Sequence, residues 1–285
     1  MIVVTGATGQ LGQLVIEHLL KRVPASKIAA AVRNPDKAGT LAARGITVRE
    51  ADYDRPETLA RSFAAGDKVL LISSSEIGRR LPQHQAVIDA ARRANVGLLA
   101  YTSLLHADTS PLPLAAEHKA TEAALRASGL PVTILRNGWY SENYLAGIDA
   151  ILAHGAVLGC AGDGRIASAA RNDYAEAAAV VMSGSGHVGK TYELAGDQAY
   201  TLADLAAEIA AQAGQPIAFH NLPQAEYRGI LINAGLPEGL ADLLAESDTG
   251  AAQGGLFDDS RQLGKLIGRP TTSLADSVRS ALGKS

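Results

Sequence analysis

Three glycines near the start of the chain constrain its fold more than any other feature. Gly6, Gly9 and Gly12 follow the apolar run 2–4, and the apolar spacing of an amphipathic helix begins at Leu11. A strand, a tight turn and a helix in this order let the backbone approach a pyrophosphate and direct helix N–H groups toward it. In this context the motif predicts a dinucleotide site, with an ordinary strand-to-helix turn as the alternative.

Strand and helix patterns alternate through the first half of the sequence. After the first strand, the pattern predicts strands at 27–32, 46–49, 68–72, 97–102 and 132–136, and helices at 35–44, from 56, at 82–94 and at 114–127. Several strands are continuous apolar runs, which is typical of a parallel sheet covered on both faces. The alternation indicates βαβ units, and therefore an α/β fold with a Rossmann-type doubly wound parallel sheet.

The second half is less regular. The predicted elements there are helices at 175–182 and 201–213, strands at 190–194 and 217–220, and several helices after residue 222 that break at 235–237 and 254–255. We expect a dinucleotide-binding domain over residues 1–150 and a smaller C-terminal substrate lobe over residues 151–285. This lobe would pack on the sheet, return some strands to it, and leave a cleft where cofactor and substrate meet.

Composition excludes several classes of protein. The net charge of −3 lacks the basic excess of a nucleic-acid-binding protein. No apolar stretch approaches the ~20 residues that cross a bilayer, and no secretory signal pattern is visible. The single cysteine, Cys160, excludes an internal disulfide and favours a reducing compartment, so a cytoplasmic location is expected. No His and Cys cluster has zinc spacing, so no metal is predicted.

The residue after the second strand indicates which dinucleotide is bound. In such sheets an acidic residue binds the ribose 2′-hydroxyl of NAD, whereas an arginine accommodates the 2′-phosphate of NADP. Arg33 follows the second predicted strand, at about the twenty-residue distance expected from the glycine turn. Because a guanidinium can bind phosphate in bidentate fashion, NADPH is favoured. The alternatives are a solvated Arg33 without a ligand, and hydroxyl binding by Asp36.

With these features in place, the sequence resembles the NmrA-like branch of atypical short-chain dehydrogenases/reductases, nearly end to end. The resemblance is carried by residues 5–12, 32–35, 71–75, 101–103, 135–143 and 256–260. Within the branch, the last three stretches are most similar to bacterial NADPH-dependent quinone oxidoreductases. Triphenylmethane-dye reductases are more distantly similar.

The resemblance implies a set of cofactor-binding residues. The glycine turn would hold the pyrophosphate through Gly6, Ala7, Thr8, Gly9, Gln10, Leu11 and Gly12. Ser73, Ser74 and Ser75 would lie beside the cofactor. The segment after the sixth strand would line the nicotinamide with Asn137, Gly138, Trp139, Tyr140, Ser141 and Glu142. Arg171 is similar to a further cofactor-side residue.

One departure from the wider family bears on the chemistry. Conventional short-chain dehydrogenases carry Tyr-x-x-x-Lys on the helix after the fifth strand, but here Ala115 precedes Lys119 at that spacing. Reduction of a ketone gives a strongly basic alkoxide that needs a proton donor, whereas a quinone gives a delocalised, phenolate-like anion. The missing tyrosine therefore favours quinones or similar conjugated acceptors, without flavin or metal. His118 is an alternative acid, although a structural role is favoured for it.

The candidates for contact with the acceptor are Gln10, Trp139, Tyr140 and Asn143. A flat quinone could stack on either aromatic ring at the carboxyl end of the sixth strand, with core packing as the alternative. The sequence thus predicts an NADPH-dependent reductase that transfers hydride to a small quinone-like molecule, with neither nucleic acid nor membrane as a partner. The alternative is a non-catalytic NADP(H) sensor of the NmrA type that contacts a protein partner.

Overall fold

The first half of the chain forms strands and helices in the predicted order. In the computed structural model, which describes residues 1–284, the strands are β1 (Ile2–Thr5), β2 (Ile28–Val32), β3 (Thr47–Glu50), β4 (Lys68–Leu71), β5 (Leu98–Leu104) and β6 (Val132–Asn137). The helices in this half are α1 (Gln10–Leu20), α2 (Gly39–Ala43), α3 (Pro56–Ser62), α4 (Arg80–Ala94) and α5 (Ala115–Ala127).

The second half contains more helix than strand. Its helices are α6 (Glu142–Leu145), α7 (Ile148–His154), α8 (Arg171–Ser183), α9 (Leu202–Ala213), α10 (Gln224–Asn233), α11 (Glu238–Ala252), α12 (Gln262–Ile267) and α13 (Leu274–Ala281). The strands are β7 (Ala156–Gly159), β8 (Thr191–Leu194) and β9 (Ala218–Asn221). The predicted breaks near residues 235–237 and 254–255 are confirmed, whereas α6, α7 and β7 were not predicted.

The main sheet has seven strands in the order β3-β2-β1-β4-β5-β6-β8. The neighbours from β3 through β6 pair in parallel, with Ile2 opposite Ile28 on one side and opposite Lys68 on the other. The chain leaves β1 toward one side of the sheet for β2 and β3, then crosses to the other side for β4. This order is that of a doubly wound sheet, so the predicted fold class is confirmed. The crossover also marks the edge where such sheets bind ligands.

Burial explains why the strands read as unbroken apolar runs. All residues of β1 and β2 are buried, as expected for central strands covered on both faces. A core cluster between the sheet and its helices includes Val3, Leu71, Leu99 and, from α5, Leu125, each with no exposed surface. Each such side chain contributes about 1.5–3 kcal/mol on burial. The sheet is therefore a rigid base for the loops at its edge.

The chain divides into two compact units that interleave along the sequence. The first unit comprises residues 1–107, 116–137 and 172–192, and the second comprises residues 108–115, 138–171 and 193–285. The predicted division at residue 150 is continuous along the chain. In the structure, by contrast, residues 172–192 belong to the first unit. In the second unit, β7 and β9 form a separate parallel pair in which Ala156 lies opposite Ala218.

Two predicted helix boundaries need correction, both for reasons of capping. The predicted helix 35–44 is a 3-10 turn over Pro35–Ala38 followed by the short α2, because the Asn34 side chain accepts a hydrogen bond from the Asp36 N–H and tightens the first turn. Helix α8 begins at Arg171 and not at residue 175.

Among residues 1–284, no helix is both long and apolar enough to span a membrane.

Candidate functional site

The turn after β1 requires glycine at two positions. Gly6 has a φ of +58°, in the left-handed region that disfavours side chains. A Cβ atom added at Gly12 would lie 2.4 Å from the Gly6 carbonyl oxygen and 2.8 Å from the Ala7 Cα. The Gly9 N–H donates to the same Gly6 oxygen at 2.9 Å and closes the turn. The predicted glycine turn is therefore present, with the backbone packed too closely for larger residues.

Helix α1 presents its N-terminus at this turn. The N-cap residue is Gly9, so no side chain caps the helix. The first N–H groups of a helix have no partners within the helix, and they carry the positive end of its dipole. A pyrophosphate fits this arrangement, because it supplies negative charge and acceptors without the steric bulk of a capping side chain.

A cavity of about 360 Å³ opens beside the helix N-terminus, within the first unit. Its lining includes most of the predicted residues of the first unit: Gly6, Thr8, Gly9, Gln10, Leu11, Gly12, Arg33, Ser73, Ser74 and Ser75. Ala7 is fully buried beneath the turn. Residues from the ends of β1, β2 and β4 thus meet in one cavity, although the chain separates them widely.

Several residues that line the cavity were not predicted from the sequence. They are Ala51, Asp52, Tyr53, Asp54, Ile72, Glu76 and Gln83. A signal for three of them was present, because Asp52, Tyr53 and Asp54 lie shortly after the third predicted strand. The carboxyl ends of parallel strands meet at the same edge of a sheet, so polar residues at that position were candidates.

Tyr53 connects three strand ends along the cavity wall. Its hydroxyl donates to the Ile72 carbonyl at 3.0 Å and forms a short hydrogen bond with the Thr5 hydroxyl. Thr5 is the donor in that bond; its oxygen also lies 3.1 Å from the Leu70 carbonyl oxygen and accepts from the Ile72 N–H at 3.1 Å. Burial raises the pKa of Tyr53 well above its usual range, so the phenol stays protonated. Its hydrogen bonds therefore hold this wall of the cavity in place.

The environment of Arg33 leaves its guanidinium available. The side chain is 73% exposed, and its one ion pair among residues 1–284 joins Nη1 to a carboxylate oxygen of Glu76 at 3.5 Å. Glu76 also accepts from Arg79 at 2.9 Å, so it keeps a cation when Arg33 turns away. Exposed pairs of this kind contribute about 0–1 kcal/mol. A phosphate dianion can therefore compete for Arg33 at little cost.

The predicted residues of the second unit cluster around the start of α8. The Glu142 carboxylate accepts from the Arg171 N–H at 2.9 and 3.0 Å, which caps the helix. The Arg171 guanidinium lies 4.7 Å from the centre of the Tyr140 ring, a cation–π distance. Tyr140 also bridges to Ala169. The structure thus brings Tyr140, Glu142 and Arg171 together, with one local function already evident for Glu142.

Other predicted residues of this segment are buried in their own surroundings. Trp139 is 6% exposed, and its ring centre lies 6.1 Å from that of Tyr144. The Ser141 hydroxyl pairs with that of Ser168 at 2.9 Å, which continues to the Tyr200 hydroxyl at 2.7 Å. These contacts fix the positions of Trp139 and Ser141, whereas Asn143 is partly exposed.

Two further positions link the segment to the ends of strands. Asn137 ends β6, and its Oδ1 atom is buried without a hydrogen-bond partner among the described residues. The Gly138 N–H donates to the Leu194 carbonyl at 2.7 Å. An acceptor left without a donor in a buried position is costly, which is typical of a position where a ligand or solvent supplies the donor.

His118 does not replace the tyrosine that is absent at Ala115. His118 is 5% exposed, and its Nδ1 atom lies 2.7 Å from the hydroxyl of the fully buried Tyr101. Burial, with the charge of Arg80 as a smaller cause, lowers the pKa of His118 to about 3. At neutral pH this ring carries no acidic proton to donate as an imidazolium. The structural role favoured for His118 is thus the one that its contacts support.

Among residues 1–284, no group of three or more His, Cys, Asp and Glu side chains is placed to hold a metal ion. The Cys160 thiol donates to the Ala245 carbonyl at 3.3 Å, and burial raises its pKa. A thiol in this state is a poor nucleophile.

Comparison with known proteins agrees with this geometry. A family model described as NAD(P)H-binding matches residues 6–179, from the glycine turn to α8. The chain is 61% identical to quinone oxidoreductase 2 of Escherichia coli strain K12, over 98% of this chain and 97% of the relative. The predicted resemblance to bacterial quinone oxidoreductases of the NmrA-like branch is therefore confirmed.

Solved structures of similar reductases have the same fold as this chain. An NADPH-dependent quinone oxidoreductase from Escherichia coli, crystallised with NADPH, superposes with a TM-score of 0.97 at 60% identity, over 99% of this chain and 100% of the other. The triphenylmethane reductase of Citrobacter sp. with NADP(H) has a TM-score of 0.96 at 42% identity, over 99% of this chain and 100% of the other. The chain belongs to the NAD(P)H-binding family.

Proposed function

We propose that this protein is an NADPH-dependent reductase that transfers hydride to quinones or similar conjugated acceptors. The observation that carries the proposal is the cavity at the N-terminus of α1, with Arg33 exposed at its rim. Family membership and the similarity to quinone oxidoreductases support it. A cytoplasmic location, favoured by the single cysteine, stays a prediction.

Different residues of the chain would bind different parts of the cofactor. The backbone N–H groups at the start of α1 would hold the pyrophosphate, because the turn leaves them uncapped. Arg33 would hold the 2′-phosphate, and Ser73, Ser74 and Ser75 would bound the cavity on the side of β4. A bound nicotinamide supplies the hydride. The chain then needs only to position the acceptor and to exclude competing reactions.

Acceptor choice follows from the absence of the family's tyrosine at Ala115. Hydride addition to a quinone gives an anion with a basicity near that of tyrosine, a pKa of about 10. Such an anion is delocalised and takes its proton from water, so neither Ala115 nor the neutral His118 has to act as an acid. We assign contact with the acceptor to Gln10, Trp139, Tyr140 and Asn143, and nicotinamide contact to residues 137–142 and Arg171.

The decisive experiment is oxidation of NADPH by the purified protein without added flavin. A series of benzoquinones and naphthoquinones would serve as acceptors, with enzyme-free blanks because quinones react slowly with NADPH alone. We expect saturable, protein-dependent oxidation that is faster with NADPH than with NADH. Tight NADPH binding without turnover of any acceptor would overturn the proposal in favour of the NADP(H) sensor.

A further inference from the structure

The loop between β4 and α4 forms one wall of the dinucleotide cavity, and side chains from outside the loop hold its backbone. This β4–α4 loop comprises residues 72–79, of which Ser73, Ser74 and Ser75 line the cavity. The Ser74 N–H donates to the His84 Nε2 atom at 3.0 Å, and the Ser74 carbonyl accepts from the Arg80 Nε atom at 2.6 Å. Both backbone polar groups of Ser74 are therefore satisfied by side chains of α4.

The hydrogen bonds around His84 fix its protonation state. The Thr121 hydroxyl donates its single proton to the Glu117 carbonyl at 2.9 Å. It can therefore only accept from the His84 Nδ1 atom, which lies 2.9 Å away and must carry the proton. Because Nε2 accepts from a backbone N–H, it cannot carry a proton as well. His84 is thus a neutral imidazole in the Nδ1–H form.

The surroundings of His84 stabilise this neutral form. The ring has no exposed surface and packs edge-on against Tyr101 from β5, with ring centres 5.3 Å apart. The positive charge of Arg80 on the same helix opposes a second positive charge, and α5 contributes the neutral His118 and the carboxylate of Glu117. That carboxylate accepts from the Gly78 and Arg80 N–H groups, each at 3.2 Å, and so is directed to the end of the loop.

We infer that His84 is a positioning residue for the dinucleotide site, acting through Ser74. With its Nε2 atom held as an acceptor by Thr121, His84 orders the serine segment of the β4–α4 loop before the ligand arrives. A loop that is already ordered strengthens binding, because the free energy of binding then does not include the entropy cost of immobilising the loop. The inference rests on the proposed function, since it takes NADPH as the ligand of this cavity.

Two substitutions at His84 separate its two hydrogen bonds. In His84→Gln the side-chain amide reaches the position of Nε2, so an oxygen can still accept from Ser74. In His84→Asn the shorter amide reaches only the position of Nδ1, so the contact with Thr121 can persist while the Ser74 N–H loses its acceptor. His187→Asn is the matched control, because His187 bonds to Tyr192 and does not line the cavity.

The measurement is the Kd of the purified full chain for NADPH, by calorimetry or nicotinamide fluorescence, alongside the Tm of each variant. We expect His84→Asn to raise the Kd about threefold to tenfold, as for the loss of one hydrogen bond. His84→Gln and His187→Asn should stay within about twofold of the unaltered chain. An unchanged Kd in His84→Asn, or an equal rise in His84→Gln, would overturn the inference. If the unaltered chain fails to bind NADPH, the proposed function falls instead, and the inference falls with it.

The protonation state of His84 offers a test that does not depend on the folding of a variant. Two-bond ¹⁵N–¹H correlation spectra of the unaltered chain at neutral pH distinguish a protonated Nδ1 from a protonated Nε2. The Nδ1–H form with an unprotonated Nε2 is expected. A protonated Nε2 would exclude acceptance from Ser74 and would overturn the inference, whatever the affinity of the variants.

Discussion

At the scale of single residues, Arg33 is the group on which cofactor choice depends. Its weak pairing with Glu76 leaves it free to bind a phosphate. Arg33→Glu should raise the Kd for NADPH by about tenfold or more, because a charge-assisted contact is replaced by repulsion, and should change the Kd for NADH far less. Arg61→Glu, at an exposed position of α3, is the matched charge reversal. Equal increases in the Kd values for NADPH and NADH would contradict the assignment of the 2′-phosphate to Arg33.

Gly12 makes a second prediction at this scale. A methyl group there would press on the Gly6 carbonyl and the Ala7 backbone, neither of which is a flexible side chain. Gly12→Ala should therefore lower the free energy of unfolding by about 1–3 kcal/mol and weaken NADPH binding. The control is Gly229→Ala in α10, where an added Cβ meets nothing within 4 Å. That substitution should stabilise the helix by roughly 0.5–1 kcal/mol. Urea unfolding and NADPH titration would check both variants.

At the scale of secondary-structure elements, a buried ion pair joins α5 to β6. Glu122 accepts from the Arg136 Nε atom at 2.9 Å and from Nη2 at 2.8 Å, and from the Ser103 hydroxyl at 2.7 Å. Burial would raise the pKa of Glu122, but the hydrogen bonds from Arg136 and Ser103 outweigh it and lower the pKa. The carboxylate is thus ionised, and Arg136 beside it has little contact with water.

Removal of one partner should therefore cost more than removal of both. Glu122→Ala leaves Arg136 buried without its counter-charge, and we expect a loss of about 3–5 kcal/mol in the free energy of unfolding. The double variant Glu122→Leu with Arg136→Met should lose less than Glu122→Ala, because no charge stays buried. Chemical denaturation of the three proteins checks this. A double variant as unstable as Glu122→Ala would show that packing, and not charge, joins these elements.

Elements also show how far the sequence could be interpreted. The glycine turn, the central strands and the capping of α9 by Thr201 were predictable, because each depends on neighbouring residues: Thr201 and Asp204 form a capping box within one turn. The short strand β7 was not predictable, since its pairing with β9 joins residues far apart in sequence. Glu76 and Gln83 could not be predicted as lining residues either, because the neighbouring sequence does not show which cavity their side chains line. Local signals cannot report such distant contacts.

At the scale of the whole molecule, two buried histidines should make stability depend on pH. Burial, with Arg80 as a smaller cause, lowers the pKa of His84 to about 4 and that of His118 to about 3. In the unfolded chain a histidine has a pKa of about 6.5. Between these values the unfolded chain binds protons that the native protein refuses. Stability contributed by the neutral rings is therefore complete above about pH 6.5 and is lost as the pH falls.

The expected loss for each histidine approaches about 1.4 kcal/mol per pH unit below about pH 6.5. Urea unfolding between about pH 7 and about pH 5 would measure it, in a range where most carboxylates stay ionised. His118→Asn should flatten the dependence, whereas substitution of the exposed His154 on α7 should leave it unchanged. A free energy of unfolding that stays constant across this range would show that the rings take up protons in the native state.

The interleaving of the two compact units has a consequence for synthesis on the ribosome. The first unit lacks its closing segment until residue 192 has been made, although its opening strands come at the start of the chain. Domains usually fold as units during synthesis, the N-terminal one first. Here residues 138–171 of the second unit are synthesised before residues 172–192, which complete the first unit. Translation speed and chaperone access over this stretch therefore bear on the yield of native protein.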